Sequence, residues 1–157
     1  ILIEKDNGTV VMGSKTKKLV GLGEINMDSS DTFLSILVFA SYCEGTTKIV
    51  NIDNQELKEC MRISTIYNIL KLFNINILRE NNNLIINGSS KSLYSDNNNT
   101  NTNKPIFIKC NNDHRIGMAS TLLVFKNKII LDNYHCVNKT YITFFQDLKK
   151  IKLISNF

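Results

Sequence analysis

No two cysteines in this sequence stand close enough to suggest a metal or redox motif. Cys43, Cys60, Cys110 and Cys136 are far apart and no CxxC occurs, which argues against both a zinc site and a disulfide scaffold. Reduced thiols in an intracellular protein fit the spacing better. Dense arginine clusters and aromatic RNA-binding motifs are also missing. The net charge of +5 is mild and the lysines are scattered, which suits an anionic small molecule and gives nucleic acid little support. The longest apolar stretch, "FLSILVFASYC" from Phe33, is too short to span a bilayer and carries two serines. No signal peptide is visible and the chain begins without Met, at "ILIEKD". A piece of a longer chain is therefore expected, with neither nucleic acid nor membrane as partner. What is present is a chain of 157 residues, 43% of them hydrophobic, enough to pack one domain or part of one.

The pattern predicts an alternation of strands and helices. "GTVVMGS" reads as a strand after an Asn7-Gly8 turn, and "KKLVGLGEINMD" as a second extended run. A helix comes next, with Phe33, Ile36, Leu37 and Ala40 on one face, Ser or Asp at its start and Gly45 as its stop. "TTKIVNI" is a β-branched strand. "NQELKECMRISTIYNILKLF" is a long helix with Leu57, Met61, Ile66, Ile69, Leu70 and Phe73 on its apolar face. Two strands then flank an Asn turn at Asn81 to Asn83. Residues 89–104 are polar and low in complexity, and are expected to be a disordered insertion. "PIFIKC" and "KIILDNY" are strands around a helix capped by Asp113, with Met118, Leu122 and Phe125 at helical spacing. "NKTYITFFQDLKKIK" is the last helix. The order implies an α/β fold built from a repeated β-α-β-α-β-β unit whose second copy is cut short, starting near Gly8 and again near Ile77.

Charged residues gather where these helices begin. Asp31 lies in "NMDSSDTFL", Lys58, Glu59 and Arg62 in "NQELKECMRI", His114 and Arg115 in "NNDHRIG", and Lys139 in "HCVNKTYITFF". Each cluster alone has a plain explanation. An acid in a first turn complements the helix dipole, Glu59 and Arg62 make an ordinary exposed ion pair, and a lone Lys is solvated. A cation in the first turn, as at Arg115, opposes the dipole unless an anion sits between them. Taken together, helix starts of this kind make a face suited to phosphate or carboxylate groups.

Four ordered motifs, "GEINMDSSDTFL", "GTTKIVNIDNQELKECMRI", "NNDHRIGMA" and "HCVNKTYITFFQDL", resemble the C-terminal portion of 5-enolpyruvylshikimate-3-phosphate (EPSP) synthase. "KECMRI" and "HCVNKT" are nearest in wording to the version inside the pentafunctional arom polypeptide. The resemblance spans nearly the whole chain apart from the insertion. It implies the enolpyruvyl transferase fold, in which parallel helices are buried against mixed sheets as an inside-out α/β barrel. Residues 1–157 would be part of one such globular domain, with the second repeat unit incomplete. The implied partners are phosphoenolpyruvate, shikimate-3-phosphate and the remainder of the parent chain, and no metal or organic cofactor is implied. The location it suggests is the cytoplasm, with the plastid as the alternative.

The resemblance also assigns roles. Addition followed by elimination through a tetrahedral phospho-ketal needs a base, an acid and cations around the phosphates. Asp31 would accept from the shikimate hydroxyls and act as base. Asn54 and Lys58 fall on the shikimate-phosphate side. Glu59 would transfer a proton, Arg62 and Arg115 would hold phosphoenolpyruvate with His114 beside them, and Lys139 would bind the transferred phosphate and donate a proton. Cys136 matches a cysteine sometimes treated as part of the active site, where a thiol near cations could be reactive.

There are departures from the family pattern. Glu56 stands where Arg is common, Met61 where Asp or Asn is, Gly117 where Ala is, and Ile142 where Pro is. The family's Gly-Ser-Lys-Ser loop, a further arginine for phosphoenolpyruvate and a Ser-Ser-Gln segment have no counterpart, and "GSKT" at Gly13 to Thr16 lies in the wrong place. The expectation is one wall of a two-domain cleft, inert alone. Two other readings stay open. One is a relative of UDP-N-acetylglucosamine enolpyruvyl transferase, and the other is a non-catalytic module of the same fold.

Overall fold

The computed structural model describes residues 2–5, 8–11, 18–28, 31–89 and 104–151. Strands β1 (Leu2–Lys5) and β2 (Gly8–Val11) pair as an antiparallel hairpin. β1 has no counterpart among the predicted strands, and the anticipated turn at Asn7 lies outside the described residues.

The main sheet contains β3 (Gly23–Asn26), β4 (Gly45–Val50), β5 (Asn76–Glu80) and β6 (Asn83–Gly88) in the order β3-β4-β6-β5. β3 and β4 run parallel with Ile25 opposite Ile49, and the other pairs are antiparallel. A parallel pair needs a crossover, and helix α1 (Phe33–Ala40) supplies it. Phe33, Leu34, Leu37, Val38 and Ala40 of α1 are buried. The β5–β6 turn falls at Asn81, whose φ of 54° lies in the left-handed region that Asn tolerates.

The same strand-helix-strand pattern recurs downstream. β7 (Ile106–Ile108) and β8 (Ile129–Leu131) form a separate parallel pair, and α3 (His114–Thr121) continues as a 3-10 turn, Leu122–Phe125, between them. Because β5 and β6 complete the first sheet, the boundary anticipated near Ile77 moves to β7. The core lies among α1, α2 (Arg62–Leu72) and α3, where Phe33, Leu37, Ile66, Leu70, Ile116 and Leu123 form one buried cluster. Tyr42 Oη ties the two halves by donating to the Leu122 carbonyl at 2.6 Å.

Two predicted helices are shorter than their patterns suggest. The run from Asn54 does not form one helix. Asp53–Leu57 is a 3-10 turn, Lys58 is extended, and α2 starts only at Arg62. Leu57 and Met61 are exposed and leave the apolar face, which Ile63, Ile66, Ile69 and Leu70 make instead. The C-terminal run also divides, into a 3-10 turn, Tyr134–Lys139, and α4 (Phe144–Lys150). The break at Thr140 to Thr143 holds three β-branched residues in four, which are stiff at χ1 and poor helix formers. Phe125, placed on the apolar face of the third helix by its spacing, is exposed. The insertion at 89–104 lies, except for Ser89 and Lys104, outside the described residues.

Candidate functional site

Arg62 is the first residue of α2, and its side chain is only 1% exposed. A guanidinium can be buried at tolerable cost only if carboxylates and further hydrogen bonds surround it. Here Nε donates to Asp113 Oδ2 at 2.7 Å and Nη2 to Asp113 Oδ1 at 3.4 Å. Nη1 donates to Asp31 Oδ1 at 2.8 Å and to Gln55 Oε1 at 3.1 Å, and Nη2 also reaches Glu59 Oε2 at 2.6 Å. Burial pushes the Arg62 pKa down, but Asp113, Glu59 and Asp31 outweigh it and leave it above its ordinary value.

The other cations attach to two of the same acids, Asp31 and Glu59. Arg115 Nη2 lies 3.0 Å from Asp31 Oδ2, Lys58 Nζ lies 4.0 Å from Asp31 Oδ1, and Lys139 Nζ donates to Glu59 Oε1 at 3.0 Å. The structure therefore joins Asp31, Lys58, Glu59, Arg62, Arg115 and Lys139 in one ion network. Arg62 lies at its buried centre, while Lys58, Arg115 and Lys139 are partly or largely exposed. Asn54 is linked less directly: its Oδ1 accepts from Gln55 Nε2 at 3.3 Å, and Gln55 in turn accepts from Arg62.

The placement of these groups comes from local chain geometry. Asn111 and Asn112 both have left-handed backbones, with φ of 53° and 58°. They turn the chain so that Asp113 caps α3, accepting from the backbone N–H of Arg115 at 2.9 Å and of Ile116 at 3.4 Å. Arg115 thus stands in a helix's first turn, and its charge is met by Asp31. Asp31 itself is two residues ahead of α1. That helix's N-cap is Thr32, with no side-chain cap bond, and the Asp31 carboxylate turns to the cations. Lys139 ends a 3-10 turn rather than starting a helix. Gly117 explains how that turn comes so near α3. A Cβ there would stand 3.1 Å from Cys136 Sγ and 3.2 Å from Val137 Cγ2.

The electrostatics separate the candidate groups. The Glu59 carboxyl is lowered to about 2, first by a hydrogen bond from its own backbone N–H and then by Lys139 and Arg62. It is therefore a carboxylate at neutral pH, able to accept a proton but holding none to give in this arrangement. His114 is buried beside Asp113, and neither ring nitrogen has a hydrogen-bond partner. Burial, helped by Arg115, lowers its pKa, so the ring is neutral. Cys136 directs its thiol at the Asp113 carbonyl, 3.6 Å away. Burial and the nearby Asp132 raise its pKa, so it is a protonated thiol and not the activated one expected near cations. Among the described residues, no group of three or more His, Cys, Asp or Glu side chains is placed to hold a metal ion, and no helix is long and apolar enough to cross a membrane.

Two members of the site were not picked out in the sequence. Asp113 reads there only as a helix cap, yet it is also the carboxylate that buries Arg62. Gln55 is fully buried against the same guanidinium. A signal for an extra acid was available: an arginine in the first turn of an apolar helix is buried only where acids meet it. Which acids meet it depends on tertiary contacts. Arg62, expected to hold a substrate anion, is instead filled by carboxylates, so an anion reaches it only by displacing one of them.

A family model described as EPSP synthase (3-phosphoshikimate 1-carboxyvinyltransferase) matches residues 3–148. The chain is 37% identical over 152 residues to the pentafunctional AROM polypeptide of Pneumocystis carinii, covering 89% of this chain and 9% of that one. It is 33% identical over 138 residues to a 3-phosphoshikimate 1-carboxyvinyltransferase of Buchnera aphidicola, covering 87% of this chain and 30% of the relative. In backbone it resembles an EPSP synthase structure from Acinetobacter baumannii, with a TM-score of 0.62, 22% identity and coverage of 75% of this chain and 26% of that one. The last likeness concerns the fold alone. The chain spans only about three tenths of the single-activity relatives it matches.

Proposed function

This chain belongs to the EPSP synthase family, and from that premise we propose that it forms one wall of an enolpyruvyl transfer site in a longer protein. The reaction would move the enolpyruvyl group of phosphoenolpyruvate to the 5-hydroxyl of shikimate-3-phosphate and release phosphate. The observation that carries the reading is the single network of Asp31, Lys58, Glu59, Arg62, Arg115 and Lys139. Four cations meet three carboxylates there once Asp113 is included, so the resting network already has more positive than negative side chains. Phosphate and carboxylate groups of the substrates would replace Asp31 and Glu59 as partners of Arg115, Lys58 and Lys139 through charge-assisted hydrogen bonds.

That exchange would free the two acids for chemistry. Asp31, released from Arg115, is positioned to accept the proton of the attacking hydroxyl. Glu59 would take or return a proton once Lys139 turns to the phosphate, because one of the bonds holding its pKa down is then lost. Lys139 would bind the leaving phosphate. Asn54 and Lys58 would hold the phosphate of shikimate-3-phosphate, Arg62 would keep both acids in register, and neutral His114 would stand beside the phosphoenolpyruvate carboxylate. Cys136 serves packing between the Tyr134–Lys139 turn and α3 in this reading. The remaining wall would come from the rest of the parent chain, with residues 1–157 part of one globular domain. The four free thiols suit the cytoplasm or a plastid.

The test is steady-state assay of the complete parent protein with both substrates, monitoring phosphate release. Turnover that needs both substrates supports the reading. A protein that folds yet releases no phosphate would support the non-catalytic module instead.

A further inference from the structure

Outside the ion network stands a second polar cluster, built on the family departure at Glu56. The α2 N-cap, Met61, supplies no side-chain acceptor, so the first turn needs one from elsewhere. Glu56 provides it from eight residues upstream: its Oε1 accepts from Ser64 N at 3.2 Å and Ser64 Oγ at 2.7 Å. The same oxygen lies 2.9 Å from Arg79 Nη2. Arg79, near the end of β5, also donates from Nη1 to Ser64 Oγ at 2.7 Å, from Nε to the Asn81 carbonyl at 2.7 Å and from Nη2 to Asn82 Oδ1 at 3.0 Å. Asn82 Nδ2 in turn donates to Asp53 Oδ1 at 2.8 Å. The Asp53–Leu57 turn is thus gripped at its first residue by the β5–β6 turn, and at Glu56 by both α2 and β5.

The gripped turn leads directly into the site. Gln55, inside the turn, contacts Arg62, and Lys58 and Glu59 come immediately after it on a non-helical segment. No helical hydrogen bonds fix that segment: it is held by the side-chain contacts of Lys58, Glu59 and Cys60 and by its two ends, Arg62 and the gripped turn. We propose that Glu56 and Arg79 form a positioning clamp that sets where Lys58 and Glu59 stand, a role that rests on the enolpyruvyl-transfer reading of the site. Neither residue touches the reacting groups. They act through the turn.

The clamp is tested in the complete parent protein by two readouts, backbone amide hydrogen exchange over residues 54–61 and kcat/KM with both substrates. Glu56→Ala should speed exchange in that segment and lower kcat/KM about tenfold, as expected for misplaced catalytic groups. Glu56→Gln keeps an acceptor for Ser64 and should lose only about threefold, so the idea survives a Glu56→Ala variant that fails to fold. Arg79→Lys should restore more than half of what Arg79→Ala loses. Joining Glu56→Ala to Arg79→Ala should cost no more than either alone, because the two act as one unit. Wild-type kcat/KM in Glu56→Ala would overturn the clamp, and so would a fall in kcat/KM without faster exchange at 54–61. A wild-type protein that does not turn over these substrates, while Glu56→Ala still loosens 54–61, would overturn the functional reading and leave the clamp standing.

Discussion

Arg62 and Asp113 form an ion pair with Nε 2.7 Å from Oδ2, both side chains at most 1% exposed, across 51 residues of sequence. Removing one partner of such a pair strands the other charge in a dry environment. Asp113→Ala should therefore destabilise the complete protein by about 3–5 kcal/mol, with the lost cap of α3 adding to it. Asp113→Asn keeps the cap acceptor and should cost less. Denaturant unfolding checks this, and wild-type stability for Asp113→Ala would contradict it.

Arg115 is partly exposed and holds Asp31 through one nitrogen. Its loss should leave the fold intact and weaken binding of an anion. We expect Arg115→Ala to raise the KM for phosphoenolpyruvate by an amount matching roughly 1.5–3 kcal/mol of lost charge-assisted hydrogen bonding. An unchanged KM for both substrates would remove Arg115 from the binding set.

Glu59→Gln separates charge from shape. The amide keeps the shape and one acceptor oxygen, so it can still accept from Arg62 or Lys139 though not from both, and it cannot take up a proton at neutral pH. Turnover should fall by about a hundredfold, within the usual range for a lost acid–base group, with KM changed far less. Wild-type turnover would end the acid–base assignment.

The depressed pKa of Glu59 gives a stability signature. The folded value is about 2, against an ordinary value of 4.5. An acid lowered on folding stabilises the protein above its unfolded pKa and loses that contribution as pH falls through the folded value. The contribution should be full above pH 4.5 and decline between pH 4.5 and about 2. Glu59→Gln should flatten that part of the curve of unfolding midpoint against pH. The effect should be modest, because Glu59 is a third exposed.

Cys136 is a protonated, half-buried thiol hydrogen-bonded to a carbonyl. Cys136→Ser preserves that donor and should keep kcat within about threefold of wild type. Alkylation at neutral pH should be slower than for a free thiol, since the thiolate is the nucleophile. A dead Cys136→Ser enzyme would restore the sulfur to the mechanism.

The order of elements from β2 onward was legible because strand and helix periods differ and because Asn and Gly mark the turns. The six charged residues were legible as a set through the family motifs, and the structure joins them. What could not be read was geometry that depends on distant partners. The apolar spacing of Leu57 and Met61 suggested a continuous helix, but Arg62 anchors α2 among carboxylates and Glu56 caps it from outside, so the preceding segment is a 3-10 turn followed by non-helical residues. Two departures that looked like divergence have local causes: Gly117 admits the Cys136 turn, and Ile142 is largely exposed, where a lost Pro removes no packing.

The network also bears on the order in which the molecule can assemble. Its bonds close loops of 31 residues to Asp31, 51 to Asp113 and 80 from Glu59 to Lys139. Contacts so remote in sequence form late, after local turns and hairpins. The nascent chain therefore carries at the head of α2 a guanidinium that has Glu59 and Gln55 nearby but lacks Asp113 until α3 arrives. Folding intermediates should hold that end of α2 open to water, making the ion network the last part of the chain to dry and the first to reopen.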